Sequence, residues 1–102
     1  TILLIEEVGE SAYRLDRLMQ QLLRSGMLRQ AAAILVGHLT GIENSKSFRA
    51  EDARQIVARY TTPLGIPVVF GFPAGHEAPN LPVFMNRKVR ITVGEQGSVV
   101  EF

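Results

Sequence analysis

The 102-residue sequence contains no cysteine and no apolar run near the length of a membrane span. The missing cysteines exclude disulfide bonds and thiolate metal sites. A helix that crosses a bilayer needs about 20 consecutive apolar residues, so we expect no membrane-spanning segment. The absence of cysteine is compatible with a reducing compartment, and we expect a cytoplasmic protein.

The charge and aromatic content argue against two further classes of partner. Lysine and arginine number 11 and aspartate and glutamate 10, which leaves a net charge of +1. This balance provides no electrostatic basis for binding nucleic acid or an anionic membrane. The few aromatic residues are not clustered, which argues against a stacking surface for single-stranded nucleic acid. The hydrophobic content of 46% in a chain of this length fits one small globular domain.

Sequence motifs for cofactors and metals are also missing. The chain has neither of the glycine-rich phosphate-binding patterns, G-x-G-x-x-G and G-x-x-x-x-G-K-S/T. Its two histidines, His38 and His76, lack the H-x-x-x-H spacing of a zinc site. Residues 9–13 begin like a G-x-S-x-G nucleophile elbow but lack the final glycine, so Ser11 is better explained as a helix cap. We therefore expect no cofactor, no metal and no obvious nucleophile.

Apolar segments with strand and helix periodicity alternate through the first part of the chain. Three strands and two helices are predicted in alternation, at residues 1–5, 13–24, 31–39, 49–60 and 66–70. Ser11 and Ser47 are the predicted N-caps, and Gly26 is predicted to end the first helix. This order is typical of βαβ units, in which the strands are parallel.

The pattern changes to short strands after residue 82. Strands are predicted at 83–85, 89–93 and 98–102, with a hairpin turn at 95–97. The predicted fold is therefore α/β, a βαβ-type core with two helices plus a C-terminal antiparallel β-meander. The chain begins inside a strand pattern without an initiator methionine, so we expect residues 1–102 to be one domain excised from a longer chain.

The stretch 71–82 is the strongest candidate for chemistry, because it combines glycine, three of the five prolines and His76. Glycine and proline fix an unusual backbone path and allow other segments to approach closely. A histidine on a stiff loop after a buried strand is suited to proton transfer at neutral pH. The alternative interpretation, a solvated surface histidine, stays open on these residues alone.

Other polar positions have both a functional and a structural interpretation. Glu6 and Glu7 follow the first strand pattern, and one of them should face inward and need a partner, unless the strand has ended and both are solvated. His38, beside Gly37, either lines a site or is a partly buried structural histidine. Arg14 lies in the first helical turn, which is unfavourable for the helix dipole, so it is either held for a partner or solvated.

Several segments, taken together and in order, resemble the C-terminal domain of LD-carboxypeptidases, serine peptidases that trim bacterial cell-wall peptides. The similar segments are LIEEVGE at 4–10, YRLDRL at 13–18, AILVG at 33–37, GIPV at 65–68, GFPAGH at 71–76, and Asn80 with Leu81-Pro82. They extend over nearly the whole chain with comparable spacing.

The resemblance implies a Ser–His–Glu triad. The catalytic glutamate of the family corresponds to Glu6, with Glu7 the less favoured choice, and its catalytic histidine corresponds to His76. The nucleophilic serine of the family belongs to an N-terminal domain that these residues do not include, so the chain alone is expected to be inactive. Arg14 and Arg17 are candidates for binding substrate carboxylates, with a structural or interface role as the alternative.

The resemblance also implies an architecture and a substrate. The family's C-terminal domain is described as a swivelling β/β/α type that packs on the N-terminal domain, with the active site between them. The expected partners are a muropeptide, from which terminal D-Ala is removed in peptidoglycan recycling, the N-terminal domain, and a second copy in a homodimer. Two alternatives stay open: an immunity-type peptidase of the same family that acts on a peptide–nucleotide antibiotic, and a non-catalytic binding or dimerisation module.

Overall fold

A computed structural model describes residues 1–9, 11–41 and 50–102, excluding the side chains of 50–52. The elements in chain order are β1 (Ile2–Val8), α1 (Ala12–Arg24), α2 (Met27–Gln30), β2 (Ala33–Thr40), α3 (Ala50–Thr61), a 3-10 helix (Thr62–Leu64), β3 (Val68–Val69), β4 (Arg90–Gly94) and β5 (Gly97–Glu101). Within these ranges no helix is both long and apolar enough to cross a bilayer. The predicted cap Ser47 lies outside the described residues.

The strands form two separate sheets. β1, β2 and β3 pair in that order and are parallel, whereas β4 and β5 form an antiparallel hairpin. The predicted α/β class with a parallel core is therefore confirmed. Because parallel strands run in the same direction, the carboxyl ends of β1 and β2 lie at one edge of the sheet, which is where open α/β sheets bind ligands.

Three of the predicted strands differ most from the structure. β1 continues through the two glutamates to Val8, because its pairing with β2 continues to Thr40. β3 is limited to two residues. Residues 83–85 form no strand, so the predicted meander is a two-stranded hairpin. This segment instead packs Val83 against one face of the parallel sheet.

Local signals set the ends of α1. The Ser11 hydroxyl accepts a hydrogen bond from the backbone N–H of Arg14 at 3.2 Å, as predicted for an N-cap. After α1, Gly26 adopts a left-handed conformation with φ of 85°, which glycine does at little cost. The one-turn helix α2, which the sequence did not predict, follows at once and buries Leu28.

The main core lies between the helices and one face of the sheet. Its buried residues are Leu15, Met19, Leu28, Ala31, Ile34, Val36, Ala53, Ile56 and Val57. Full burial of one large aliphatic side chain contributes about 1.5–3 kcal/mol, so this layer is the main source of stability.

A polar cluster joins the two long helices beside this core. Asp16 on α1 accepts hydrogen bonds from the Tyr60 hydroxyl at 2.6 Å and from the Gln20 amide at 3.0 Å. The hydrogen bond to Asp16, and then partial burial, raise the pKa of the Tyr60 phenol above its ordinary value of 10.0. This contact therefore favours the protonated phenol and links α1 to α3.

A smaller core covers the other face of the sheet. Leu35, Phe72 and Ala74 are buried there, and the hairpin residues Ile91 and Val100 pack against them. The start of the 71–82 segment thus lies between the parallel sheet and the C-terminal hairpin. This packing fixes the position from which the following loop reaches the carboxyl edge of the sheet.

Candidate active site

The pairing of β1 with β2 is irregular at Glu6. Ile5 pairs with Val36, whereas Glu7 pairs with Leu39, so two residues of β2 lie opposite Glu6. Such a β-bulge bends the strand locally and redirects side chains. The bulge therefore determines how side chains are presented at the carboxyl edge of the sheet.

Gly37, the first residue of the bulge, allows a third segment to approach. A Cβ at this position would collide with the carbonyl oxygen of Ala74 and would lie 3.3 Å from the Cβ of Glu6. The segment after β3 continues along β2, because Phe72 N–H donates to the Val36 carbonyl at 3.0 Å and His38 N–H donates to the Ala74 carbonyl at 2.8 Å. The missing side chain thus brings the 71–82 segment next to Glu6.

The structure brings Glu6 and His76 together, although they are 70 positions apart in the sequence. The distance from His76 Nδ1 to Glu6 Oε2 is 3.1 Å. The histidine side chain is 57% exposed and that of Glu6 is 35% exposed. One of the two consecutive glutamates therefore has a partner, as the first interpretation of that pair required.

The hydrogen bond assigns different roles to the two ring nitrogens of His76. An ionised carboxylate only accepts hydrogen bonds, so the contact with Glu6 places the proton of a neutral imidazole on Nδ1. The other nitrogen, Nε2, then carries the lone pair. Within the described part of the chain Nε2 has no hydrogen-bond partner. It can therefore accept a proton from a group that reaches it from outside these residues.

The neighbouring carboxylate, Glu7, does not contact His76. Its Oε1 accepts a hydrogen bond from the backbone N–H of Val8 at 3.1 Å. Across the described residues, no group of three acidic or histidine side chains is arranged to hold a metal ion. The polar chemistry at this edge therefore centres on Glu6 and His76.

The loop that carries His76 is closed by hydrogen bonds of its own. Leu81 N–H donates to the Pro73 carbonyl at 2.8 Å, and Gly75 N–H donates to the Asn80 side-chain oxygen at 3.1 Å. Gly75 has a φ of +137°, which few residues other than glycine adopt. These contacts hold the backbone on both sides of His76.

A second histidine–glutamate contact lies beside this loop. His38 Nε2 lies 2.6 Å from the Pro79 carbonyl oxygen, and His38 Nδ1 lies 3.5 Å from Glu77 Oε1. The Thr40 hydroxyl donates to Glu77 Oε2 at 2.8 Å. Of the two interpretations of His38, the structure supports the partly buried one, since 12% of its side chain is exposed. The sequence analysis did not identify Glu77 as part of the site. Its position directly after His76 was the one sequence feature that could have indicated it.

The two candidate arginines lie on α1, in a groove away from this pair. The described residues that line the groove are Arg14, Arg17, Leu18, Gln20, Gln21 and Arg24. Neither Glu6 nor His76 is one of them. Arg17 donates to the Tyr13 hydroxyl at 2.6 Å, and its guanidinium lies 5.3 Å from the Tyr13 ring centre. The role of Arg14 and Arg17 in binding substrate therefore stays a prediction.

Fold and site together define an α/β domain with a histidine–carboxylate pair at the carboxyl edge of a parallel sheet. Residues 1–91 match the LD-carboxypeptidase C-terminal domain. The chain belongs to this family, and the resemblance drawn from its sequence segments is confirmed.

Relatives of known name and structure agree with this assignment. The chain is 31% identical over 100 residues to a probable murein peptide carboxypeptidase of Bacillus subtilis, covering 98% of this chain and 31% of that protein. It is 36% identical over 80 residues to a murein tetrapeptide carboxypeptidase of Pseudomonas aeruginosa, covering 78% and 25%. The crystal structure of a muramoyltetrapeptide carboxypeptidase from Oxalobacter formigenes superposes with a TM-score of 0.76 at 25% identity, covering 97% and 34%. The chain thus spans about a third or less of these proteins.

Proposed function

We propose that this domain supplies the glutamate and the histidine of a Ser–His–Glu triad in an LD-carboxypeptidase that removes terminal D-Ala from murein tetrapeptides. The observation that carries the proposal is the 3.1 Å contact between His76 Nδ1 and Glu6 Oε2, with Nε2 on an exposed ring. The family assignment and the names of the relatives from Bacillus subtilis and Pseudomonas aeruginosa support the substrate class.

In this proposal His76 is the general base and then the general acid. Its Nε2 takes the proton of a serine hydroxyl as the serine oxygen attacks the carbonyl carbon of the bond to D-Ala. The same nitrogen then gives that proton to the leaving amine, which leaves an acyl-enzyme. In the second half His76 removes a proton from water, the water oxygen attacks the acyl carbon, and His76 returns the proton to the serine oxygen as the acyl–serine bond breaks. Glu6 keeps Nδ1 protonated and stabilises the imidazolium that forms in each step.

The serine comes from another domain of a longer protein. Two observations support this part of the proposal. The relatives are about three times as long as the chain, which covers 31% and 25% of them. In the described part of the chain, no hydroxyl group hydrogen-bonds to His76. The isolated domain is therefore expected to be inactive.

The arginines of α1 are proposed to bind a substrate carboxylate. Arg14 and Arg17 are exposed and line one groove together with a third exposed arginine, Arg24, and such a groove offers a site for an anion. Replacing Arg14 and Arg17 together by glutamine is expected to raise KM for the tetrapeptide with little change in kcat, because such contacts act equally on the ground state and the transition state. An unchanged KM assigns them a structural role instead.

The experiment that tests the proposed function measures D-Ala release from a murein tetrapeptide by the full-length protein that carries this domain. The variants are His76→Ala and Glu6→Gln, and the matched control is Glu7→Gln, which makes the same chemical change at the adjacent position. Loss of activity in the first two variants and near-normal activity in the control support the triad.

Two outcomes would contradict the proposal. Activity that survives His76→Ala places the base elsewhere and leaves the loop structural. A wild-type protein that does not release D-Ala but cleaves a peptide–nucleotide amide is an immunity-type peptidase of the same family.

A further inference from the structure

We propose that His38 is a positioning residue, which holds the loop of residues 71–82 so that the imidazole of His76 meets Glu6. The inference rests on the proposed function, because positioning matters for catalysis only if His76 is the base. His38, the other histidine of the chain, thereby has a specific role in the reaction.

The contacts of His38 reach the loop on both sides of His76. Its backbone N–H donates to the carbonyl of Ala74 at 2.8 Å, two positions before His76. Its ring Nε2 lies 2.6 Å from the carbonyl oxygen of Pro79, three positions after His76. A carbonyl oxygen only accepts, so Nε2 carries a hydrogen and donates it. His38 therefore holds the loop of residues 71–82 both before and after His76.

A third connection joins β2 to the residue that follows His76. The carboxylate of Glu77 lies 3.5 Å from His38 Nδ1 through Oε1 and accepts from the Thr40 hydroxyl at 2.8 Å through Oε2. The Thr40 hydroxyl therefore holds Glu77, and the His38 ring, whose hydrogen lies on Nε2, is beside it. Because Glu77 is covalently linked to His76, its position restricts the backbone from which the imidazole projects.

Close packing leaves little room for the loop to shift. A Cβ on Gly75 would lie 2.9 Å from the Cβ of His38, so the loop backbone rests directly on the histidine. The bulge also places Gly37 and His38 opposite Glu6 in β1. Glu6 and the His76 loop are therefore both positioned against the same two residues of β2.

His76 depends on this support because its own side chain has little packing. With 57% of the side chain exposed, few neighbours fix the ring, and its direction follows the backbone of the loop. A displacement of about 1 Å in a catalytic group can cost about 100-fold in rate. Loss of the His38 contacts should therefore appear in kcat, even though His38 does not touch the reacting atoms.

Substitutions of His38 test this role in the full-length protein. His38→Gln places an amide donor near the position of Nε2 and keeps the bond to the Pro79 carbonyl. His38→Leu has a similar size and no donor. We expect His38→Leu to lower kcat about 100-fold with KM little changed, and His38→Gln to recover most of that loss. Equal losses in the two variants, or a normal kcat in His38→Leu where His76→Ala abolishes activity, would overturn the inference.

A double-mutant cycle with His76→Ala separates positioning from a general loss of stability. If His38 acts through His76, His38→Leu has no further effect once His76 is alanine. An undiminished effect in that background would mean that His38 acts by another route and would refute the inference. Tyr60→Phe, which weakens a contact between α1 and α3 instead, is the control for stability and should keep kcat normal.

A structural measurement distinguishes failure of this inference from failure of the proposed function. The Nδ1–H proton signal of His76 in the NMR spectrum reports its hydrogen bond to Glu6. Loss of this signal in His38→Leu and its return in His38→Gln support positioning, even if D-Ala release proves independent of His76. An unchanged signal in His38→Leu refutes positioning, even if His76 and Glu6 are essential for activity.

Discussion

Two histidine–glutamate pairs lie side by side at the carboxyl edge of the parallel sheet, and they differ in what their histidines contact. His76 uses one nitrogen on Glu6 at 3.1 Å and is 57% exposed, whereas His38 is 12% exposed, with Nε2 on the Pro79 carbonyl and Nδ1 3.5 Å from Glu77. The same two residue types thus make different contacts. A nitrogen with no partner among the described residues, on an exposed ring, suits proton transfer, whereas a largely buried ring that donates to a backbone carbonyl suits a structural contact.

The pairs are interleaved along the chain. Glu77 follows His76 in the loop, and His38 lies in the bulge opposite Glu6 in β1. Each pair therefore takes one member from a strand and one from the loop. A substitution in one pair should affect the other through the backbone, and the size of the effect should show which pair carries the chemistry.

Of all the substitutions in the two pairs, the one at His76 should lower kcat most. In the proposed triad His76→Ala removes the general base and should lower kcat for D-Ala release about 10⁴-fold, since proton transfer by a positioned group contributes about 10²–10⁴-fold and the proposed serine also loses its activating partner. Steady-state kinetics of the full-length protein measure this loss. A decrease of less than tenfold would assign His76 no catalytic role.

A substitution of Glu6, the partner of His76, should lower kcat more than the same substitution of Glu77, which lies beside His38. In the proposed triad Glu6→Gln removes the charge that stabilises the imidazolium and should lower kcat about 10³-fold. Glu77→Gln keeps an oxygen that can accept from Thr40 and should lower kcat less than about tenfold. The same assay ranks the two variants. A larger loss in Glu77→Gln would reverse the roles assigned to the pairs.

Gly37 tests whether the loop must lie against β2. Gly37→Ala places a Cβ against the Ala74 carbonyl oxygen, so the loop must move and kcat should fall about 100-fold. The control is Gly94→Ala in the hairpin, where the new Cβ would meet an atom at an ordinary 3.5 Å. Equal kcat values for the two alanine variants would show that the loop adapts without cost.

The smallest effect is expected at the contact between α1 and α3. Tyr60→Phe removes the bond to Asp16 and should lower the free energy of unfolding by about 0.5–1 kcal/mol without changing kcat. Because the pKa of Tyr60 is raised in the folded chain, this contribution is complete below its ordinary value of 10.0 and is lost as the pH rises through the raised value. Chemical unfolding of the wild type and of Tyr60→Phe at neutral and alkaline pH measures the difference in the free energy of unfolding, which should shrink at alkaline pH.

Local features of the fold were accessible from the sequence, and non-local ones were not. Ser11 and Gly26 set the ends of α1 through contacts within a few residues, so the pattern predicted them. The length of β1 depends on pairing with β2, which no local pattern contains. Whether the first strand ended at residue 5 or continued through Glu6 and Glu7 therefore stayed open in the sequence, and the pairing extends it to Val8.

The candidate site divides in the same way. Glu6 and His76 were named from the segments that resemble the family, and the structure brings them into contact. The contacts of His38 require the bulge and the path of the loop, both of which depend on three segments meeting at one edge. The two interpretations of His38, as a residue that lines a site or as a structural histidine, therefore stayed open in the sequence.

The bulge in β2 also limits how this site can be transferred to another protein. In a regular strand, removing one residue turns every later side chain to the opposite face. A bulge is the exception, because Val36 and Leu39 lie three positions apart and still pair with Ile5 and Glu7 on one face, so deleting Gly37 or His38 would restore regular pairing and keep the faces of Leu39 and Thr40. The deletion would instead remove one of the two residues that lie against the loop of residues 71–82. A designer who copies only the glutamate and the histidine onto a regular parallel sheet would reproduce the residues without their alignment. The unit to transplant is the strand pair together with its surplus residue.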